Sequence, residues 1–222
     1  MAGRIGLTVL CAGVLAGSAL AAENPRDPQK RHNPADQAWA QAIRIHRADL
    51  GSGDWRVEQS DGTDSGAPKG CKDPNLSDLV ETGEAETPDF SRNGSFIGSG
   101  AAVFQTERHA TAAWNRIAKQ PITRCLIDAF RQGMAGANAR LRIVSSGPVT
   151  ARKLAPHFTA SQIRLVVSGP GATIEGRIAY YLYGRGRATA VLIIASFGKP
   201  LQPIPQSLER RLAGLVAQRL HR

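Results

Sequence analysis

Cysteine and aromatic residues are both scarce in this chain, with three cysteines in 222 residues and aromatics at 5%. Cys11 lies in an apolar N-terminal segment, so Cys71 and Cys125 are the two cysteines left for the body of the protein. They lack the CxxC spacing of redox and zinc sites, which argues against a reactive thiol or a thiolate metal centre. An even pair predicts one disulfide, Cys71 to Cys125, in an oxidising compartment.

Recognisable catalytic motifs are also absent. The sequence has no Gly-x-Ser-x-Gly elbow and neither the GxxxxGK[ST] nor the GxGxxG pattern of a phosphate loop. The histidines show no metal-ligand spacing and no paired acidic partner along the chain; they are His32, His46, His109, His157 and His221. We therefore predict no catalytic residue, no metal site and no cofactor. A hydrolase-like enzyme without a recognisable motif is the alternative.

The N-terminus has the features of a secretory signal peptide over residues 1–22. Arg4 precedes an apolar run over residues 5–20, and residues 19–21 have the small-x-small pattern of a signal-peptidase site. The run is short for a permanent membrane span and is followed at once by polar residues. We expect cleavage near Ala22 and secretion of the mature chain, with retention as an anchor as the alternative.

The charge is strongly basic, with 28 Lys and Arg against 18 Asp and Glu, a net charge of +10. The excess is scattered along the chain, which is a weaker sign of nucleic-acid binding than a basic cluster interleaved with aromatics. The expected partners are therefore an anionic component of the cell envelope, a lipid-like ligand or another protein, with no specific nucleic acid. Long-range attraction would also favour peripheral contact with a membrane.

The order of the predicted elements indicates one α+β domain over residues 34–222, after a flexible lead-in over residues 23–33. We expect an antiparallel sheet with packed helices, because strand-like segments lie between helical ones. A first helix is predicted from Pro34 to Leu50, and an acidic loop rich in Gly, Pro and Ser over about residues 60–94. The chain should end in an amphipathic helix, because its apolar residues follow a helical stripe: Leu208, Leu212, Leu215, Val216 and Leu220.

Residues 176–198, GRIAYYLYGRGRATAVLIIASFG, predict a central β-hairpin with Arg185 and Gly186 at its turn. The alternation assigns one face to the core: Ile178, Tyr180, Leu182, Val191 and Ile193. The other face carries Arg177, Tyr181 and Tyr183, which we predict as a ligand-binding groove with Arg177 near a polar head group. Burial of this face under a helix is the alternative.

Four segments share their order and character with one group of secreted proteins. They are SGAAVFQTERHATAAWNRI, ITRCLIDAF, the hairpin and LERRLAGLVAQRL, which together span roughly residues 90–222. In these features the chain resembles the extracellular sensor domain of PknH-type receptor kinases and the LpqN-type secreted actinobacterial proteins. The resemblance implies a PsbP-like α+β fold and a secreted, non-catalytic binding or sensing module of the cell envelope.

Overall fold

The fold is taken from a computed structural model of the chain. It describes residues 25–58, 71, 73–86, 89–134, 139–149 and 152–222. The predicted signal peptide, residues 1–22, lies outside the described residues, and so does most of the first half of the predicted acidic loop.

The described residues form one sheet of nine strands and four α-helices. The strands are β1 Gln29–Lys30, β2 Arg56–Glu58, β3 Val80–Glu86, β4 Asp89–Arg92, β5 Ser95–Phe104, β6 Arg140–Pro148, β7 His157–Gly169, β8 Ala172–Arg185 and β9 Ala188–Gly198. The helices are α1 Pro34–Ile43, α2 Glu107–Ala118, α3 Ile122–Gly133 and α4 Gln206–Arg219. The predicted α+β class is therefore confirmed.

The sheet is almost wholly antiparallel. Its main order is β1-β3-β5-β9-β8-β7-β6, while β4 pairs with β5 and β2 pairs with β4. β1 and β3 form a parallel pair, and every other pair in the described sheet is antiparallel. Short turns can join antiparallel neighbours, which is why β7, β8 and β9 follow each other directly in sequence and in space.

Helices cover both faces of the sheet. On one face, α1 and α4 pack through residues such as Ile43, Leu212 and Val216 against the β8 side chains Tyr181 and Tyr183. On the other face, α3 packs against β7, β8 and β9, and α2 packs against β5.

No helix in the described part of the chain is long and apolar enough to cross a membrane.

Cys71 and Cys125 form the disulfide that the sequence predicts, with 5.5 Å between their Cα atoms. The bond ties α3 to the segment that leads into β3. Thr106 caps α2, because its hydroxyl accepts a hydrogen bond from the His109 N–H at 3.1 Å.

Two predicted element boundaries are wrong. The first helix ends at Ile43 and not at Leu50, because the chain turns extended at Arg44 and a separate 3₁₀ turn follows over Arg47–Leu50. The second half of the predicted acidic loop is not a loop: Val80–Glu86 and Asp89–Arg92 are strands. The acidic residues and the glycine of β3 interrupt the alternation of polar and apolar residues that is typical of a strand, although β3 lies between β1 and β5 in the sheet.

The central hairpin is present, but its turn lies one residue further along than predicted. Arg185 is paired with Ala188, so Gly186 and Arg187 form the turn. Gly186 has a φ of 52°, a conformation that glycine adopts without steric cost. Moving the turn by one residue shifts the pairing by two, so each side chain stays on its predicted face.

Candidate ligand-binding site

A cavity of about 630 Å³ lies at one end of the sheet, where five strands begin or end, among them β2, whose first residue Arg56 lines it. β4 and β5 meet there in the Asn93–Gly94 turn, β9 ends at Gly198, and Ile174 lies near the start of β8. Its volume is typical of sites that bind small molecules.

The floor of the cavity is apolar. Ile174 and Phe96 are half-buried, Phe197 is buried, and the two phenylalanine rings meet edge to face at 6.4 Å. Close backbone packing holds Phe197 in place. Its N–H donates to the Gly94 carbonyl at 2.8 Å, and a Cβ at Gly176 would lie 2.7 Å from its ring.

Three basic side chains line the cavity, against one acidic side chain, Asp54. Arg56 and Lys199 are exposed, and within the described part of the chain neither forms an ion pair. The Arg92 guanidinium lies 4.5 Å from the centre of the buried Trp55 ring, a cation–π contact that orients it. The rim therefore carries a net positive charge, and two of its three cations have no ion-pair partner among the described residues.

This arrangement suits a ligand that has two parts. Unpaired arginine and lysine side chains attract a phosphate or carboxylate, and arginine can bind such a group with two parallel hydrogen bonds. The aromatic floor would bury an apolar portion attached to the anion. The described lining residues include neither histidine nor cysteine.

The three residues predicted as a groove lie together, but α4 covers them. Arg177 makes a two-pronged ion pair with Glu209 of α4 at 2.8 and 2.7 Å, and its Nε donates to Gln162 at 2.7 Å. The Tyr181 hydroxyl donates to the same Glu209 carboxylate. The exposed fractions of Tyr181 and Tyr183 are 8% and 0%. In this structure the three residues anchor a helix, as the alternative interpretation expects, and ligand binding by them stays a prediction.

The pKa values in this cluster follow from burial and from Glu209. Burial alone would lower the pKa of Arg177, but hydrogen bonds and attraction to Glu209 raise it. Burial raises the pKa of Tyr181, and the hydrogen bond to Glu209 raises it further. The network therefore keeps Arg177 charged and Tyr181 neutral at neutral pH.

Two of the five histidines make contacts at α2. His109 accepts a hydrogen bond at Nδ1 from the Val80 N–H at 3.1 Å, and the His157 ring packs 5.2 Å from the Trp114 ring. These contacts hold α2 against its neighbours and do not form a nucleophile–base pair.

His32 does have an acidic partner, which corrects the sequence-based prediction. Its Nε2 lies 3.1 Å from the Glu81 carboxylate, although the two residues are 49 positions apart. Burial raises the pKa of Glu81 to about 7, the nearby Glu84 charge contributes in the same direction, and His32 and Lys30 oppose the shift. Sequence spacing could not reveal this pair, because the parallel β1–β3 contact creates it.

Sequence reasoning missed the basic cavity altogether. Arg56, Arg92 and Lys199 are far apart in the chain, and each stands alone in its own segment. The one available signal was the Asn93–Gly94 pair before the alternating SFIGSG segment, which is typical of a tight hairpin. A hairpin turn alone does not indicate a ligand site.

Comparison with known proteins gives little information about function. No family model matches the chain, and no curated protein is similar to it in sequence. Among solved structures, it is similar to the extracellular domain of PknH from Mycobacterium tuberculosis, with a TM-score of 0.40 and 9% sequence identity over 85% of this chain and 98% of that chain. This is a weak resemblance at the level of the fold, and it carries no argument about function.

Proposed function

We propose that this protein is a non-catalytic binding or sensing module of the cell envelope, and that its ligand site is the basic cavity formed by Arg56, Arg92, Lys199 and the Phe96–Phe197 floor. The ligand is an anionic amphiphile, with one phosphate or carboxylate group and an apolar chain. The observation that carries the proposal is that two cations without an ion-pair partner among the described residues line a cavity with an aromatic floor.

The disulfide supports the extracytoplasmic part of the proposal. Disulfides persist in oxidising compartments and are rare where thiols are kept reduced. Cys71 and Cys125 meet with ordinary Cα separation for such a bond. The net charge of +10 would accelerate encounter with an anionic surface, although the cavity and not the net charge provides specificity.

The proposal is tested by calorimetric titration with dodecyl phosphate below its micelle concentration, and with inorganic phosphate and dodecanol as its two separate parts. We expect saturable one-site binding of dodecyl phosphate and binding at least about tenfold weaker for each part alone, because charge and apolar burial contribute together.

The matched variants are a double substitution at the rim, Arg56→Gln with Lys199→Gln, and a control, Arg108→Gln. Arg108 is exposed on α2, beyond the end of β5 that is opposite Phe96. The rim variant should weaken binding by about tenfold and the control should leave it unchanged. Equal weakening by both variants would indicate non-specific attraction, and binding unaffected by the rim variant would contradict the site.

A further inference from the structure

One cluster of ligating side chains lies outside the basic cavity, at the β1–β3 edge of the sheet. One ligand atom each from His32, Glu81 and Glu84 lies within 4.8 Å of the other two. Glu81 pairs with Phe104 at the end of β5 that is opposite Phe96, so this cluster is separate from the cavity. Imidazole and carboxylate groups are the standard nitrogen and oxygen ligands of Zn²⁺ in proteins.

The backbone holds the histidine rigidly beside β3. The hydrogen bonds on either side of His32 continue the parallel ladder: the Arg31 N–H donates to the Glu81 carbonyl at 2.8 Å, and the Asn33 N–H donates to the Thr82 carbonyl at 2.9 Å. Asn33 then caps α1. His32 is therefore fixed between a strand and a helix, which is the support that a metal ligand needs.

An irregularity in β3 brings the two carboxylates together. In a regular strand, residues three apart point to opposite faces. The register of β3 against β5 shifts between Glu81 and Gly83, so Glu81 and Glu84 can share one side. One oxygen of each carboxylate then lies within 4.8 Å of the same imidazole.

The surroundings favour a cation. Glu81 is 4% exposed, and a buried carboxylate needs a compensating partner. In the structure two basic groups share this role, because His32 contacts Glu81 and the Lys30 ammonium contacts Glu84 at 2.8 Å. An ammonium ion satisfies a single carboxylate here, whereas a divalent ion could be bound by all three side chains.

We infer that His32, Glu81 and Glu84 form a Zn²⁺-binding site, in which the metal takes the place of Lys30 beside Glu84. The ligand atoms of a tetrahedral site lie roughly 3.3 Å apart at about 2.0–2.2 Å from the ion, so the cluster must contract slightly. Glu84 can make this adjustment, since its side chain is 28% exposed. The imidazole selects Zn²⁺ over Ca²⁺ and Mg²⁺, which prefer oxygen ligands.

The test is calorimetric titration of Zn²⁺ into tag-free, chelator-treated protein near neutral pH, with CaCl₂ titrated in parallel. We expect one Zn²⁺ per chain and no saturable Ca²⁺ binding. His32→Ala should weaken Zn²⁺ binding by more than about tenfold, because it removes the only nitrogen ligand in the cluster. His221→Ala is the matched control, since His221 is exposed at the C-terminus.

Lys30→Met separates a metal site from a purely structural ion-pair cluster. Removing the competing ammonium frees Glu84, so Zn²⁺ affinity should increase by about threefold or more. Lys30 is exposed, and this variant should fold normally. Failure of both the wild type and Lys30→Met to bind Zn²⁺ would overturn the inference, and so would a loss in His221→Ala equal to that in His32→Ala. Neither result would affect the proposed function, which rests on the other end of the sheet.

Discussion

Glu209 makes the polar contact between α4 and the sheet, beside the apolar packing of Leu212 and Val216. The residue is 6% exposed, and its carboxylate accepts hydrogen bonds from Arg177 and Tyr181. We predict that Glu209→Gln lowers the free energy of unfolding by about 3 kcal/mol, because it leaves the mostly buried Arg177 charge without its counter-charge. Tyr181→Phe should cost about 2 kcal/mol, since it removes one hydrogen bond to a charged group.

Urea unfolding with the disulfide intact measures both changes. Glu175→Gln is the control, because Glu175 is exposed on the same strand as Arg177, and its effect should be within about 0.5 kcal/mol. A Glu209→Gln variant that unfolds at the wild-type urea concentration would show that the ion pair contributes no net stability.

Asp36 gives the stability of the protein a defined dependence on pH. Its carboxylate accepts two hydrogen bonds from Arg187, at 3.0 and 2.7 Å, and one from the Thr82 hydroxyl at 2.7 Å. The Arg187 contacts hold the pKa of Asp36 well below its usual range, against the opposing effect of burial. The folded state therefore binds the Asp36 proton less readily than the unfolded state does.

The pKa of Asp36 is lower in the folded state than in the unfolded state, where it is about 4. The contribution of Asp36 to the free energy of unfolding is therefore complete above about pH 4, and it is lost as the pH falls towards the pKa of the folded state. We predict that Asp36→Asn is destabilising by about 3 kcal/mol at neutral pH, and that the difference from wild type narrows below about pH 4. Urea unfolding over an acid-to-neutral pH series checks this. A difference that stays constant or widens on acidification would contradict the prediction.

At the scale of secondary-structure elements, the disulfide links two distant parts of the chain covalently. It closes a loop with a sequence separation of 54 and joins α3 to the segment before β3. In the chain-entropy model, closing this loop raises the free energy of unfolding by about 4 kcal/mol. We predict that the double variant Cys71→Ser with Cys125→Ser has a free energy of unfolding that is lower than that of the wild type by up to about this amount.

The measurement is urea unfolding of the double variant beside the wild type, with and without a reducing agent. Reduced wild type and the double variant should unfold at similar urea concentrations, because both lack the same link. Two reactive thiols in unreduced, unfolded wild type would show that the bond does not form.

The sequence predicts some elements well and others poorly, for identifiable reasons. Alternation and β-branched residues predict the β8–β9 hairpin. Its two faces are as predicted although its turn is not, because the pairing is shifted by two residues. β3 was missed because Glu81 and Glu84 lie in a bulged strand, where an acidic residue is buried and the alternation breaks. Local patterns cannot predict burial that depends on a distant partner.

At the scale of the whole molecule, charge is distributed unevenly in a way that composition does not reveal. The ion pairs at Asp36 and Glu209 involve buried carboxylates, and they engage arginine side chains that the sequence alone would count as surface charge. Arg56 and Lys199 remain unpaired among the described residues and meet at one end of the sheet. The candidate site could not be predicted from sequence, because it exists only once β2, β5 and β9 are assembled.

The central claim is that the basic cavity, and not the face under α4, binds an anionic amphiphile. The most direct measurement is amide nuclear magnetic resonance of the isotope-labelled protein during titration with dodecyl phosphate. We predict that saturable shifts concentrate at the amides of Asn93, Gly94, Gly198 and Lys199, which line the cavity, while the amides of Arg177–Tyr183 stay in place. Shifts concentrated on Arg177–Tyr183, or an absence of saturable shifts at the cavity, would contradict the account.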